Sequence, residues 1–86
     1  MDYARDVRSF IVDNFLFGDE DGLDDNASFM ETGIIDSTGI LELVAYLEKS
    51  FGIIVSDDEF IPENLGSIAE IAGYLERKQH LEDIRN

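Results

Sequence analysis

The sequence contains no cysteine, so disulfides and thiolate metal sites are excluded. Packing alone must hold an 86-residue chain together, and a chain of this length buries roughly 60–65% of its unfolded surface. The missing thiols leave the redox compartment open, beyond being compatible with the cytosol. Histidine occurs once, as His80, in a polar stretch where a surface role is expected. There is no glycine-rich phosphate loop and no cluster of metal ligands. No catalytic residue and no metal ligand is assigned. No apolar run approaches the ~18 residues that a membrane span requires. The start, Met1-Asp2, is not followed by the apolar segment of a signal peptide. The expectation is one soluble cytoplasmic domain over residues 1–86, monomeric and without a membrane span.

Cations are scarce too, and Lys and Arg are missing altogether between Arg8 and Lys49. The formal net charge is −14. Such a surface repels nucleic acid and anionic lipid. It attracts basic protein patches and speeds encounters with them. The plainer alternative is that the charge only keeps the protein soluble.

What is present is helical periodicity. Tyr3, Val7, Phe10, Ile11 and Phe15 predict a first helix over about 2–16, with acids Asp2 and Asp6 in its first turns and Gly18 as a stop. Residues 18–28, GDEDGLDDNAS, read as a long acidic loop anchored by Leu23. A calcium loop needs Glu six residues after its Gly, yet that place holds Ser28 after Gly22 and Asp24 after Gly18. A specific calcium site is therefore not expected. Ser28 and Glu31 fit a capping box for one short turn before Gly33. Gly52 should end a second helix over about 37–50. Ile53-Ile54-Val55 reads as an extended linker, because no partner strand exists. Ser56 and Glu59 predict a short third helix at 57–61, limited by Pro62. Ser67 and Glu70 open a fourth over 67–80, with Ile68, Ile71, Ala72 and Leu75 inward and Tyr74 on its flank. Leu81 and Ile84 would extend its stripe.

The second helix organises the rest. Ile40, Leu43, Val44, Leu47 and Phe51 line its inner face. Asp36 and Ser37 stand before it, and both residue types favour a helix N-terminus. A hydroxyl at that entrance suits a phosphate, since unpaired N–H groups and the macrodipole favour an anion by roughly 0.3–1 kcal/mol. On local pattern alone, Ser37 serves equally as a simple cap. The outer face carries Thr38, Leu41, Glu42, Ala45 and Glu48. A large apolar residue among acids is a place where a partner with a basic rim would bind.

NASF at 26–29, GIIDS at 33–37, then LELV and LEKSFGI, together resemble an acyl carrier protein over roughly residues 3–78. The resemblance implies an all-α, four-helix bundle with a long first loop and a short third helix. In that family a Ser in an Asp-Ser-Leu motif carries a 4'-phosphopantetheine arm, covalently attached from coenzyme A. The motif here is Asp36-Ser37-Thr38, which makes Ser37 the expected attachment residue and Asp36 a contact to the metal ion of the attaching enzyme. The expected partners are a phosphopantetheinyl transferase, an acyl- or aminoacyl-activating enzyme, and downstream acyl-processing enzymes with basic patches. The second helix would be the recognition helix, with Thr38, Leu41, Glu42, Ala45 and Glu48 facing the partner. Some carriers shelter the acyl chain between helices. Candidate walls are Phe29, Leu43, Leu47, Val55, Leu65, Ile68 and Ile71, all of which could equally be plain core.

Two departures qualify the match. Thr38 replaces the usual Leu, and Gly39 stands in the first turn; Gly costs up to about 1 kcal/mol against Ala in a helix interior, and less at such an end. They point to a specialised carrier with a dedicated activating enzyme. An aminoacyl or peptidyl carrier, or a fatty acid synthesis carrier, is the alternative within the class. Outside it stands an unmodified acidic helical module that binds a basic partner. Under every reading the self-repulsion of the surface opposes folding. Thermal unfolding in rising sodium chloride should therefore give a Tm that climbs with salt and levels off once screening is complete.

Overall fold

Asp2 caps the first helix: its carboxylate accepts the Arg5 N–H at 3.1 Å. The computed structural model describes residues 2–18 and 23–85, with side chains as far as Gln79. In order come α1 (Tyr3–Phe15), α2 (Phe29–Thr32), α3 (Ser37–Phe51), a 3-10 turn at Asp57–Glu59, α4 (Pro62–Leu65) and α5 (Ile68–Arg85). The fold is all-α, as the periodicities predict, and no strand occurs among the described residues. It is the expected carrier-like helical bundle; the five α-helices among the described residues include the short turn expected after Ser28, now α2, and the 57–66 region supplies its one short helix later than expected. A helix expected at 57–61 is a single 3-10 turn, and Pro62 starts a helix instead of ending one. Proline suits that first position, where its missing N–H would have had no partner.

The core runs through all the helices. Val7 and Ile11 from α1, Phe29 from α2, Leu43 and Leu47 from α3, and Ile68, Ile71 and Leu75 from α5 are completely buried. Each such side chain contributes about 1.5–3 kcal/mol before conformational entropy is counted. Ile40, Val44 and Phe51 are only half-buried, so the inner face of α3 is narrower than its pattern implies. The contact ridge is Gly39, Leu43 and Leu47, an i, i+4 row. Tyr74, expected on a flank, is buried among these side chains.

The acidic loop is stitched down at its far end. Leu23 is buried, and the Arg8 guanidinium donates to the Leu23 carbonyl and the Asp25 carboxylate, each at 2.8 Å. The Asp25 carbonyl accepts the Ala69 N–H at 2.8 Å, and the Gly66 carbonyl accepts the Phe29 N–H at 2.9 Å. Residues 19–22, the centre of the calcium-loop question, lie outside the described residues. So do the side chains of His80, Leu81 and Ile84. Phe17 takes a left-handed conformation (φ +54°) and is 95% exposed, while the Gly18 N–H closes α1 on the Val12 carbonyl at 2.9 Å.

Gly52, at φ +66°, ends α3 by donating to the Glu48 carbonyl at 3.0 Å. The following segment alternates: Ile53 is buried, Ile54 exposed and Val55 half-buried. Gln79 on α5 donates to the Phe51 carbonyl at 2.7 Å, satisfying another group at this helix end.

Helix α1 meets α3 through aromatic rings and one glycine. Phe10 and Tyr46 stack with centroids 4.0 Å apart, and Tyr3 packs edge-on against Phe51 at 5.5 Å. Gly39 lets the two helices close: a Cβ there would stand 2.9 Å from Phe15 Cε1 and 3.0 Å from Ile35 Cγ2. Gly39→Ala should therefore destabilise the protein by about 1–3 kcal/mol, despite the better helix propensity of Ala. Urea unfolding of the two proteins measures it; a more stable Ala variant would show that the contact is slack.

Candidate functional site

The entrance of α3 assigns different tasks to its two polar residues. Asp36 is the cap: its Oδ1 accepts the Gly39 N–H at 2.7 Å. Ser37 is the first residue of the helix and is exposed. Among the described residues its hydroxyl makes no hydrogen bond. The simple-cap reading of Ser37 therefore fails, because a carboxylate one residue earlier already does that work. The expected use of the helix dipole changes as well. The anion at this N-terminus is Asp36 itself.

Two hollows flank the entrance. On one side lies an open apolar groove of about 530 Å³, bordered by Ser37, Ile40 and Leu41 from α3, by Ser28, Met30 and Glu31, and by Phe60, Ile61, Pro62, Leu65 and Gly66. Leu41, at 61% exposed, is its most prominent apolar side chain on α3. On the other side is a polar hollow of about 340 Å³, edged by Asn14 and Phe15 from α1, Gly33 and Ile34, and Asp36, Thr38, Gly39 and Glu42. Ser37 borders the first hollow only; Asp36 and Thr38 border the second.

The structure separates the side chains that sequence reasoning grouped. Of the seven candidate acyl-pocket residues, only Leu65 borders the groove. Phe29, Leu43, Leu47, Ile68 and Ile71 are filled core, and Val55 is half-buried in the segment after α3. A space beside Ser37 needs apolar groups that the core has not consumed. Met30, Ile40, Phe60, Ile61 and Pro62 are those groups. A legible signal existed in the run Phe60-Ile61-Pro62, too short to be a core helix and too apolar to be a plain loop.

Thr38, Leu41, Glu42 and Ala45 are exposed on one face of α3. Glu48 departs from that face. Its Oε2 accepts the Val55 N–H at 3.0 Å, so it ties down the extended segment and is half-buried. Among the described residues no group of three or more His, Cys, Asp or Glu side chains could hold a metal ion, and no helix is long and apolar enough to cross a membrane.

A hydroxyl free of structural duty, at the mouth of an apolar groove, fits a long covalent arm ending in an acyl group. Comparison with known proteins agrees. The family described as phosphopantetheine attachment site matches residues 14–75. A probable acyl carrier protein, PigG, of a Serratia species is 32% identical over 73 residues, covering 84% of each chain. The acyl carrier protein of Akkermansia muciniphila is 40% identical over 73 residues, 85% of this chain and 88% of that one. A solved chain from a structure titled as that of an FAD-dependent dehydrogenase superposes with a TM-score of 0.71 at 30% identity, over 80% of this chain and 97% of that chain.

Behind the far wall of the groove lies an ion pair. Lys78 Nζ lies 2.6 Å from Glu59 Oε1. Burial works to raise the Glu59 pKa, but Lys78 and the Ser56 backbone and hydroxyl outweigh it and hold the group down at about 2, against an ordinary 4.5. The Tyr74 phenol is pushed up to about 12, first by burial and then by the Glu59 charge. Its buried hydroxyl meets no well-aligned hydrogen-bond partner among the described residues. A carboxylate with a lowered folded pKa stabilises the fold above its unfolded value and stops doing so as pH falls to its folded value. The Glu59 contribution should thus be complete above 4.5 and vanish towards 2. Glu59→Gln should cost about 1.5–3 kcal/mol at neutral pH. Its deficit against the parent should close through that acid interval, as read by denaturant unfolding at each pH.

Proposed function

The chain belongs to the acyl carrier proteins, which bear a covalently attached 4'-phosphopantetheine; from that premise we propose that Ser37 Oγ is the attachment atom. The free, exposed hydroxyl at the groove mouth carries this reading. Such proteins are carriers and not catalysts, so the chemistry of attachment belongs to a phosphopantetheinyl transferase. Ser37 Oγ attacks the phosphorus of coenzyme A that bears the pantetheine. A phosphodiester to Ser37 forms, the bond to the adenosine bisphosphate breaks, and that nucleotide departs with the electron pair. The serine proton passes to a base of the transferase. Asp36 holds the first turn of α3 through Oδ1, and its carboxylate stands beside Ser37 as a contact for the transferase's metal ion. The arm, once in place, supplies the thiol that the sequence lacks and holds acyl groups as thioesters.

Partners reach the arm from the α3 side. Leu41 with Thr38, Glu42 and Ala45 forms an apolar spot in an acidic setting, suited to enzymes with a basic rim. Glu48 is left out of this face, being engaged with Val55. We read the protein as a cytoplasmic monomer whose partners bind weakly and fast, since covalent tethering relieves each of them of holding the cargo.

The carrier is proposed to be specialised, loaded by a dedicated acyl- or aminoacyl-activating enzyme. Of the two sequence departures, Gly39 is accounted for by packing against Phe15. Thr38 is not: it is exposed on the face partners would meet. The likeness to a chain from a flavin dehydrogenase structure supports this reading, beside likeness to proteins named simply acyl carrier protein. An FAD-dependent dehydrogenase is accordingly proposed among the acyl-processing partners.

Incubation with coenzyme A and a broad-specificity transferase should add the mass of one phosphopantetheine, and Ser37→Ala should gain none. Modification of the Ala variant would place the arm elsewhere. Loading of the modified protein by a fatty acid synthase's malonyl transferase at ordinary rates would overturn the specialised assignment while leaving Ser37 in place.

A further inference from the structure

The two walls of the groove are held by different means. Helix α3 is fixed by buried Leu43 and Leu47. The opposite wall, residues 59–66, has only a 3-10 turn, a four-residue helix and one buried side chain, Leu65. A helix that short has no stability of its own. Facing walls rich in exposed apolar side chains, Leu41 against Phe60 and Ile61, would lower their exposed area by closing on each other. A tie on the 59–66 wall would oppose that closure.

The wall is tied to α2 at one end, where the Gly66 carbonyl accepts the Phe29 N–H, and Ser56 bonds Glu59 locally; its side-chain ties to a distant element lead to one turn of α5. Lys78 Nζ grips Glu59 at 2.6 Å. Arg77 donates to Asn64 Oδ1 at 3.0 Å, and Asn64 Nδ2 donates to the Glu59 carbonyl at 2.9 Å. Glu59 and Asn64 do not border the groove, so the pull comes from behind the wall. Both cations lie beyond residue 75, where the match to the family ends. We infer that Lys78 and Arg77 are positioning residues that tie the 59–66 wall back onto α5 and so keep the groove beside Ser37 open for an apolar group. The inference deepens the carrier reading and rests on it for its purpose; the tie itself stands on the geometry.

Two measurements on the unmodified full chain decide it. The first is amide hydrogen exchange. In Lys78→Met the amides of Leu65 and Gly66, bonded to the Ile61 and Pro62 carbonyls, should exchange about tenfold faster, while Leu43 and Leu47 amides keep their parental rates. Lys78→Arg should restore slow exchange. The second is titration with free octanoyl-pantetheine, followed by amide shifts at Leu41 and Ile61. These should move in the parent and in Lys78→Arg, and move several-fold less in Lys78→Met. The inference is overturned by unchanged exchange in Lys78→Met, by equal acceleration at every amide, by failure of Lys78→Arg to restore it, or by shifts that are absent in the parent or indifferent to the substitution. Neither measurement needs the arm, so failure of Ser37 to be modified shows separately, in the mass.

Discussion

The hydrogen bond from the Gly39 amide to the Asp36 carboxylate, 2.7 Å long, decides what Ser37 is free to do. A helix start leaves several N–H groups without partners, and a side chain must meet them. Because Asp36 does so, Ser37 enters the first turn with its hydroxyl unengaged. Gly39 serves a second purpose by letting Phe15 and Ile35 press against the same turn. The carboxylate cap and the close approach of α1 hold one peptide segment from two sides. The exposed hydroxyl is the remainder of that arrangement.

Cations are few, and three of the six tie loops that border the site. Arg8 holds the end of the acidic loop through Leu23 and Asp25, and Lys78 and Arg77 hold the groove wall through Glu59 and Asn64. Arg8 and Lys78 are paired with carboxylates and Arg77 with an amide oxygen, and Lys49, near the end of α3, is the one cation on that helix, so the rest of its outer face is acidic. Long-range attraction of basic partners and short-range order in the loops thus come from the same sparse set of residues.

Much of the site was legible from local pattern. The helical repeat of α3, its stop at Gly52 and the buried anchor Leu23 follow from spacing and residue type. The resemblance carried by Asp36-Ser37 and its surroundings named the family before any geometry was known. The 57–66 region was misread because Ser56 and Glu59 signal a helix start equally well for a 3-10 turn, and Pro62 suits a first helical position as well as a barrier. Glu48 was assigned to the outer face by its helical angle. That angle cannot reveal that Val55, seven residues on, returns to meet it.

Sequence by itself determined the all-α class, the acidity and the placement of a serine at a helix entrance, since each depends on composition or on neighbours within a few residues. Tertiary structure alone decided that Asp36 caps while Ser37 does not, that Phe29, Leu43, Leu47, Ile68 and Ile71 are filled core, and that Met30, Phe60 and Ile61 surround the open space. Periodicity says which side chains leave the water. Which of them meet, and which are left facing a gap, depends on how segments distant in sequence come together.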